Sequence, residues 1–361
     1  MSELSDWLIP RTGMGSMAIP IASAPQRIAY LGASVTAQKD GYRPALHEAL
    51  IQRYGQEHRA INAAIGGIGS TAAVFLMDGL VLRHKPAVCL IELSTGDCEN
   101  ESDTRRLGPV LEGIVRKLRS IACKIIFVHG YRNETEVEAR QDMIVAAHEN
   151  IAEKYGIPSL LLHQKMGQSF ANGELEEGIC FKDLVHTTPH GAKVMASLIL
   201  EGLHHLLEIN APDTVINARY RDNYERTEIV KVDPLSMVSR PDQCNRESFR
   251  FVYPYVTLGV ENELQFSSEG DIVGMVVVVG PDSGMVRITT AVGNSTRSLF
   301  DMWCAYERVQ IFCFGEAGRY TRDIKICLTD DAVNYNICLH TIPDTEAIIK
   351  KLRVIGWMVR W

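Results

Sequence analysis

Along the first half of the chain, short apolar runs alternate with stretches of helical period. Residues 27–31 read as a strand ending at Gly32, and 43–54 as a helix whose Leu46, Leu50 and Ile51 form an apolar stripe. A strand over 58–63 leads into the glycine cluster Gly66-Gly67-Ile68-Gly69. The pattern then predicts a buried strand over 87–93, a helix over 104–121, a strand over 124–129 and an amphipathic helix over 136–155. A fifth strand over 159–163 and a closing helix over 191–208 complete the series. Five strands alternating with helices imply parallel crossovers, hence a three-layer α/β/α sandwich with a mostly parallel five-stranded sheet. Such sheets bind ligands beyond the carboxyl ends of their strands. The residues to inspect are therefore Ser34, Gly66 and Gly67, 94–97, and 129–131.

After Pro212 the helical period fades and β-rich runs follow at short intervals: 249–258, 271–279, 285–291, 308–314, 324–329 and 348–360. Turn signals such as Gly280-Pro281-Asp282-Ser283-Gly284 separate them. This half reads as an antiparallel, jelly-roll-like β-sandwich over 215–361. The α/β domain spans 26–210 behind an N-terminal extension of 1–25, and the linker falls near Ala211-Pro212-Asp213. Trp303 and Tyr306 are candidates for a sugar platform, although aromatic residues of a β-sandwich more often pack in its core. The even spacing of Trp357 and Trp361 predicts one strand face, used for packing or for an interface between copies in a homo-oligomer.

Composition narrows the classes. Hydrophobic residues make up 46% and charged residues 22%, as in a globular protein with a real core. A net charge of −7 and the lack of any Lys/Arg run argue against a nucleic-acid surface. The longest apolar stretches, such as 276–279, are far too short to span a bilayer, and the first 25 residues lack the features of a secretion signal. Nine cysteines, an odd number without a CxxC pair, read as free thiols in a reducing compartment, so a cytoplasmic location is expected. No Cys/His cluster has metal-ligand spacing, and neither a metal nor a cofactor is expected.

Candidate chemistry gathers at the strand ends. In Asp183-Leu184-Val185-His186 a carboxylate three residues before a histidine can hold the imidazole by one ring nitrogen. The other nitrogen is then free to take a proton from a hydroxyl nucleophile. Ser34, lifted by the turn at Gly32, suits that nucleophile, and it suits an N-cap equally. Without a side chain, Gly67 lets a substrate oxygen approach its N–H. The rival readings of this cluster are a simple tight turn or a phosphate loop. The latter is disfavoured by the absence of GxGxxG spacing and of a terminal Lys-Ser/Thr. Thr95, Asp97, His129 and Tyr131 are candidate pocket residues, and His190 fits helix entry.

These blocks resemble a known pattern. Gly32-Ala33-Ser34-Val35-Thr36 is similar to the Gly-Asp-Ser-x-Thr block of the SGNH (GDSL-type) hydrolases. Residues 62–67 are similar to the second block of that family, whose last glycine supplies an oxyanion N–H. Ser94-Thr95-Gly96-Asp97 takes the place of Gly-x-Asn-Asp, and Asp183 to His186, followed by Gly191, resembles the last block. The resemblance implies the family's flavodoxin-like sandwich and a Ser34–His186–Asp183 triad, with Ser34 and Gly67 in the oxyanion hole. Two positions depart: Ala33 stands where the family has aspartate, and Gly96 where it has the asparagine that completes the oxyanion hole. Ser94, Thr95 or Asn100 could substitute for the latter. The expectation is a serine esterase acting on a short acyl (acetyl) ester of a carbohydrate. The alternatives are an O-acyltransferase of glycan assembly and a non-catalytic carbohydrate-binding protein.

Overall fold

The computed structural model describes residues 7–12, 21, 24–101, 103–133, 138–207, 216–232, 242–248, 251–260, 262–314, 321–342 and 344–361. The chain divides into two compact units, Met1–Glu225 and Arg226–Trp361. The linker expected near 211–213 lies outside the described residues.

The first unit runs β1 (Leu8–Ile9), β2 (Arg27–Gly32), α1 (Ser34–Ala37), α2 (Tyr42–Tyr54), β3 (Arg59–Asn62), α3 (Ser70–Leu80), β4 (Val88–Glu92) and α4 (Ser94–Asn100). It continues with α5 (Leu107–Arg119), β5 (Lys124–Val128), α6 (Glu138–Tyr155), β6 (Ser159–Leu160), α7 (Leu162–Ala171), α8 (Glu177–Cys180) and α9 (Pro189–Leu207). The sheet order is β1-β6-β5-β4-β2-β3, with β2 to β6 parallel and β1 antiparallel to β6. Numbered by appearance, the five parallel strands lie 2-1-3-4-5, the flavodoxin-like doubly wound order. Its switch point falls between β2 and β4, where α1 and α4 begin.

The sheet therefore has a sixth strand that the hydrophobic pattern did not predict. Residues 7–12 do not stand outside the domain as an extension. Trp7 is buried, its carbonyl accepts the Leu161 N–H (2.7 Å), and Arg11 pairs with Glu149 (2.7 Å). At the other end the unit runs past 210 to Glu225. Buried Glu112 of α5 accepts the Tyr155 hydroxyl and the N–H groups of Arg219 and Tyr220 (2.7, 2.6 and 2.7 Å). Tyr224 packs against Gly113, where no side chain would fit.

The second unit holds β7 (Thr227–Lys231), β8 (Asp242–Ser248), β9 (Phe251–Leu258), β10 (Glu263–Val279), β11 (Met285–Thr290), β12 (Gly293–Ser298), β13 (Arg308–Cys313), β14 (Thr321–Thr329) and β15 (Leu352–Arg360). Pairings among these strands are antiparallel. Long β10 joins the two halves of one nine-stranded antiparallel sheet. Its first part pairs with β14, followed by β11 and β12, and its last part pairs with β13 and β15. One apolar core, including Leu264, Val277, Ile288, Ile326 and Trp357, lies inside. Trp357 stacks on Phe266 at 5.2 Å, whereas Trp361, just past β15, is half-exposed. Trp303 and Tyr306, which composition places in the core, are 46% and 53% exposed.

Candidate active site

Ser34 owes its position to the way β2 ends. Gly32 has no room for a side chain, because a Cβ there would collide with the Thr36 hydroxyl and stand 2.6 Å from the Glu92 carbonyl. The chain turns through Ala33 and enters α1 at Ser34, whose side chain is half-buried at the sheet rim. The Thr36 hydroxyl bonds to Tyr42 (2.8 Å) and donates to Glu92 (3.4 Å), which also accepts from Thr95 (2.8 Å). Burial pushes the Glu92 carboxyl above its ordinary value, against the hydrogen bonds from Thr95 and Thr36.

Asp183 and His186 form one compact turn. The Asp183 carboxylate accepts the N–H groups of Val185 (3.0 Å) and His186 (2.8 Å), and both its oxygens lie within 3.0 Å of His186 Nδ1. Burial works to raise the Asp183 pKa, but these backbone and ring hydrogen bonds outweigh it and hold the carboxyl below its ordinary value. With Nδ1 occupied, Nε2 is the nitrogen left for proton transfer. The turn is clamped at its base. Lys182 N–H bonds to the His186 carbonyl (2.9 Å), Phe181 bridges to Thr187, and Gly191 lies against the Cys180 carbonyl with no room for a Cβ.

Two side chains tie α1 to this turn. Gln38 Nε2 donates to the Thr187 carbonyl (2.7 Å), and Lys182 pairs with Asp40 (3.8 Å). Gln38 follows Ser34 by one helical turn, so the serine and the histidine come from segments bonded to each other. A direct Ser34–His186 hydrogen bond is not among those of the described residues. Apo sites often hold such bonds long until substrate is bound. Neither Gln38 nor its partner carried a motif in the sequence.

On the other side of Ser34 lies the glycine turn. Gly67 has φ +77, a left-handed conformation that favours glycine, and a Cβ at Gly66 would stand 3.8 Å from that of Ser34. Across from it, Gly96 is packed shut. A Cβ there would collide with the Ile68 carbonyl and stand 2.8 Å from the Ala33 Cβ. Of the three substitutes for the family asparagine, Asn100 donates to the Gly96 carbonyl (2.7 Å) and Thr95 to Glu92. Ser94 has a buried hydroxyl without a hydrogen-bond partner.

The candidate pocket residues divide. Asp97 is fully buried and saturated by Ser70 and His148, and His129 is buried and bonded to Glu149 (2.9 Å). Burial holds His129 below the ordinary histidine value against the pull of Glu149. Thr95 is likewise buried. These three side chains are thus enclosed. Tyr131 is half-exposed, packs on Phe170 and Phe181 (5.1 and 5.4 Å), and borders the Asp183 turn, since Asn133 N–H bonds to the Leu184 carbonyl (2.9 Å). His190 is exposed at the start of α9. Among the described residues no group of three or more His, Cys, Asp or Glu could hold a metal ion. No helix among them is long and apolar enough to cross a membrane.

A doubly wound α/β domain thus carries a serine, a glycine turn and a carboxylate-bound histidine around its switch point. Residues 28–194 match the model of the GDSL-like Lipase/Acylhydrolase family. Among solved structures, the chain is similar to a two-domain esterase (CEX) active on acetylated mannans. The TM-score is 0.73 at 17% identity, over 94% of this chain and 92% of that one. The same esterase co-crystallised with mannopentaose gives a TM-score of 0.76 at 17% identity, over 99% and 98%. At this identity the likeness speaks for the fold. A search of curated proteins found no match.

Proposed function

We propose that the protein is a serine esterase that removes a short acyl group, an acetyl ester of a carbohydrate, through Ser34, His186 and Asp183. The observation that carries this reading is the bond of His186 Nδ1 to the Asp183 carboxylate, on a turn tied by Gln38 to the helix that Ser34 heads. His186 Nε2 removes the Ser34 proton as Oγ attacks the ester carbonyl carbon. The tetrahedral intermediate collapses, the ester C–O bond breaks, and the same proton passes to the departing sugar oxygen. Water repeats the sequence on the acyl-serine and returns the free enzyme. The developing oxyanion is held by the backbone N–H groups of Ser34 and Gly67, because Gly96 offers no side chain. The family and the likeness to an esterase active on acetylated mannans support the acetyl-carbohydrate substrate, as does the exposure of Trp303 and Tyr306 on the β unit.

The test is hydrolysis of p-nitrophenyl acetate and of acetylated manno-oligosaccharides by the wild type, Ser34→Ala and His186→Ala. Either substitution is expected to lower kcat by about 10⁴-fold or more. Turnover unchanged in Ser34→Ala overturns the reading. Acyl-sugar formed without matching hydrolysis assigns the same residues to acyl transfer instead. Glycan binding without serine-dependent turnover leaves a carbohydrate-binding protein.

A further inference from the structure

Asp97 lies outside the triad and out of reach of solvent, yet its bonds lead to the glycine turn beside Ser34. Its Oδ1 accepts the Ser70 N–H (2.6 Å), and its Oδ2 accepts the Ser70 hydroxyl (2.6 Å) and faces His148 Nε2 (2.8 Å). Aspartate and histidine side chains are 0% and 1% exposed. His148 comes from α6 and is wedged between the rings of Phe127 and His129 (5.8 and 5.6 Å). The carboxylate therefore has a fixed backstop. Gly69 leaves the space it occupies, since a Cβ there would stand 2.6 Å from Asp97 Oδ1. Ser70 is the first residue of α3, where a backbone N–H has no partner within its own helix. Its neighbour Gly96 meets the Ile68 carbonyl. Two consecutive residues of α4 thus grip the turn at Ile68 and Ser70, on the C-terminal side of Gly67.

We propose that Asp97, backed by His148, is a positioning residue that sets the Gly67 N–H relative to Ser34 by holding Ser70. The proposal rests on the reading of Gly67 as an oxyanion donor. Where a family asparagine adds a third donor, a small error in one backbone N–H is shared. With two donors, the placement of each bears directly on the rate.

Ser70→Ala deletes one hydroxyl from the clamp and retains the helix, and Asp97→Asn replaces an acceptor with a donor facing Ser70 and His148. Steady-state kinetics on p-nitrophenyl acetate would be read together with the backbone amide resonance of Gly67 by NMR. The expected result for Ser70→Ala is a fall in kcat of roughly tenfold, short of the ~10²-fold that a 1 Å misplacement can cost. KM stays within about twofold, the mark of an interaction used in the transition state, and the Gly67 resonance shifts or broadens. The Ser70→Ala, Asp97→Asn double variant is expected to be no slower than the slower single one, because both act through one contact. If Asp97→Asn does not fold, Ser70→Ala carries the test. An unchanged kcat in Ser70→Ala, or a fall with the Gly67 resonance unmoved, overturns the proposal. If the wild type itself shows no serine-dependent turnover, the esterase reading fails, and the Gly67 resonance alone decides the positioning role.

Discussion

Gly96 is the residue at which this site departs from the GDSL-type pattern it resembles, and the reason is steric. The Ile68 carbonyl and the Ala33 methyl fill the volume that a side chain at 96 would need. The two departures read in the sequence, Ala33 and Gly96, are therefore neighbours in one contact. Small residues at both let the glycine turn close against α4. Restoring the asparagine by Gly96→Asn should accordingly fail to add a donor. It pushes the Ile68 carbonyl away, at a cost of about 1–3 kcal/mol for overpacking, and moves the Gly67 turn with it. A lower melting temperature and a lower kcat on p-nitrophenyl acetate are expected, and a gain in kcat would show that the space can open. Asp183 and His186 were legible because a bond across three residues is local. Asn100 and Thr95 are engaged elsewhere, by the Gly96 carbonyl four residues back and the Glu92 carboxyl three residues back, and neither bond carried a motif in the sequence.

Elements set the position of these residues. The turn carrying His186 is bounded by α8 and α9, which approach so closely that Gly191 stands against the Cys180 carbonyl. Gly191→Ala introduces a collision with rigid backbone, and the turn must shift to relieve it. A loss of kcat of roughly 10²-fold, the scale set by a 1 Å misplacement, is expected with little change in the far-ultraviolet spectrum. Unaltered kinetics would argue that the α8–α9 junction can yield without disturbing His186. At this scale the alternating strands and the amphipathic helices followed from their periods, with boundaries shifted by a few residues. Helix α3 escaped that reading because Ala72 to Met77 are buried on every side, so its sequence has no polar face to mark the period. The run Leu160-Leu161-Leu162 reads as a strand, yet it splits into two residues of β6 and the start of α7. A short apolar run without alternation fits either state.

In the whole molecule, charge buried in the α/β unit links its stability to pH. Glu101 is buried and accepts a hydrogen bond from Thr71. Burial, with the Asp97 charge nearby, pushes it from the ordinary 4.5 up to about 7. A carboxyl whose folded value lies above its unfolded one binds more protons when folded, so stability falls as pH rises from about 4.5 to about 7 and the loss then persists. Glu101→Gln keeps an acceptor for Thr71 and removes the titration. It should raise the urea midpoint of helical ellipticity above pH 7 and leave it nearly unchanged at pH 4. An equal effect at both values would refute the linkage.

The amino-acid sequence by itself determined what depends on neighbours along the chain. It set the alternation of strands and helices, the change to β structure after Pro212, the turns at Gly32 and Gly67, and the Asp183–His186 pair. Backbone geometry and hydrophobic period act over a few residues, so a short window suffices to read them. Tertiary structure alone decided the rest. Residues 7–12 complete the sheet because Leu160 offers an unpaired edge to Leu8. Gln38 reaches Thr187 across 149 residues and His148 reaches Asp97 across 51, because parallel crossovers bring the strand ends to one rim. Whether a given side chain meets a substrate or a buried partner is settled there, by packing around a common core.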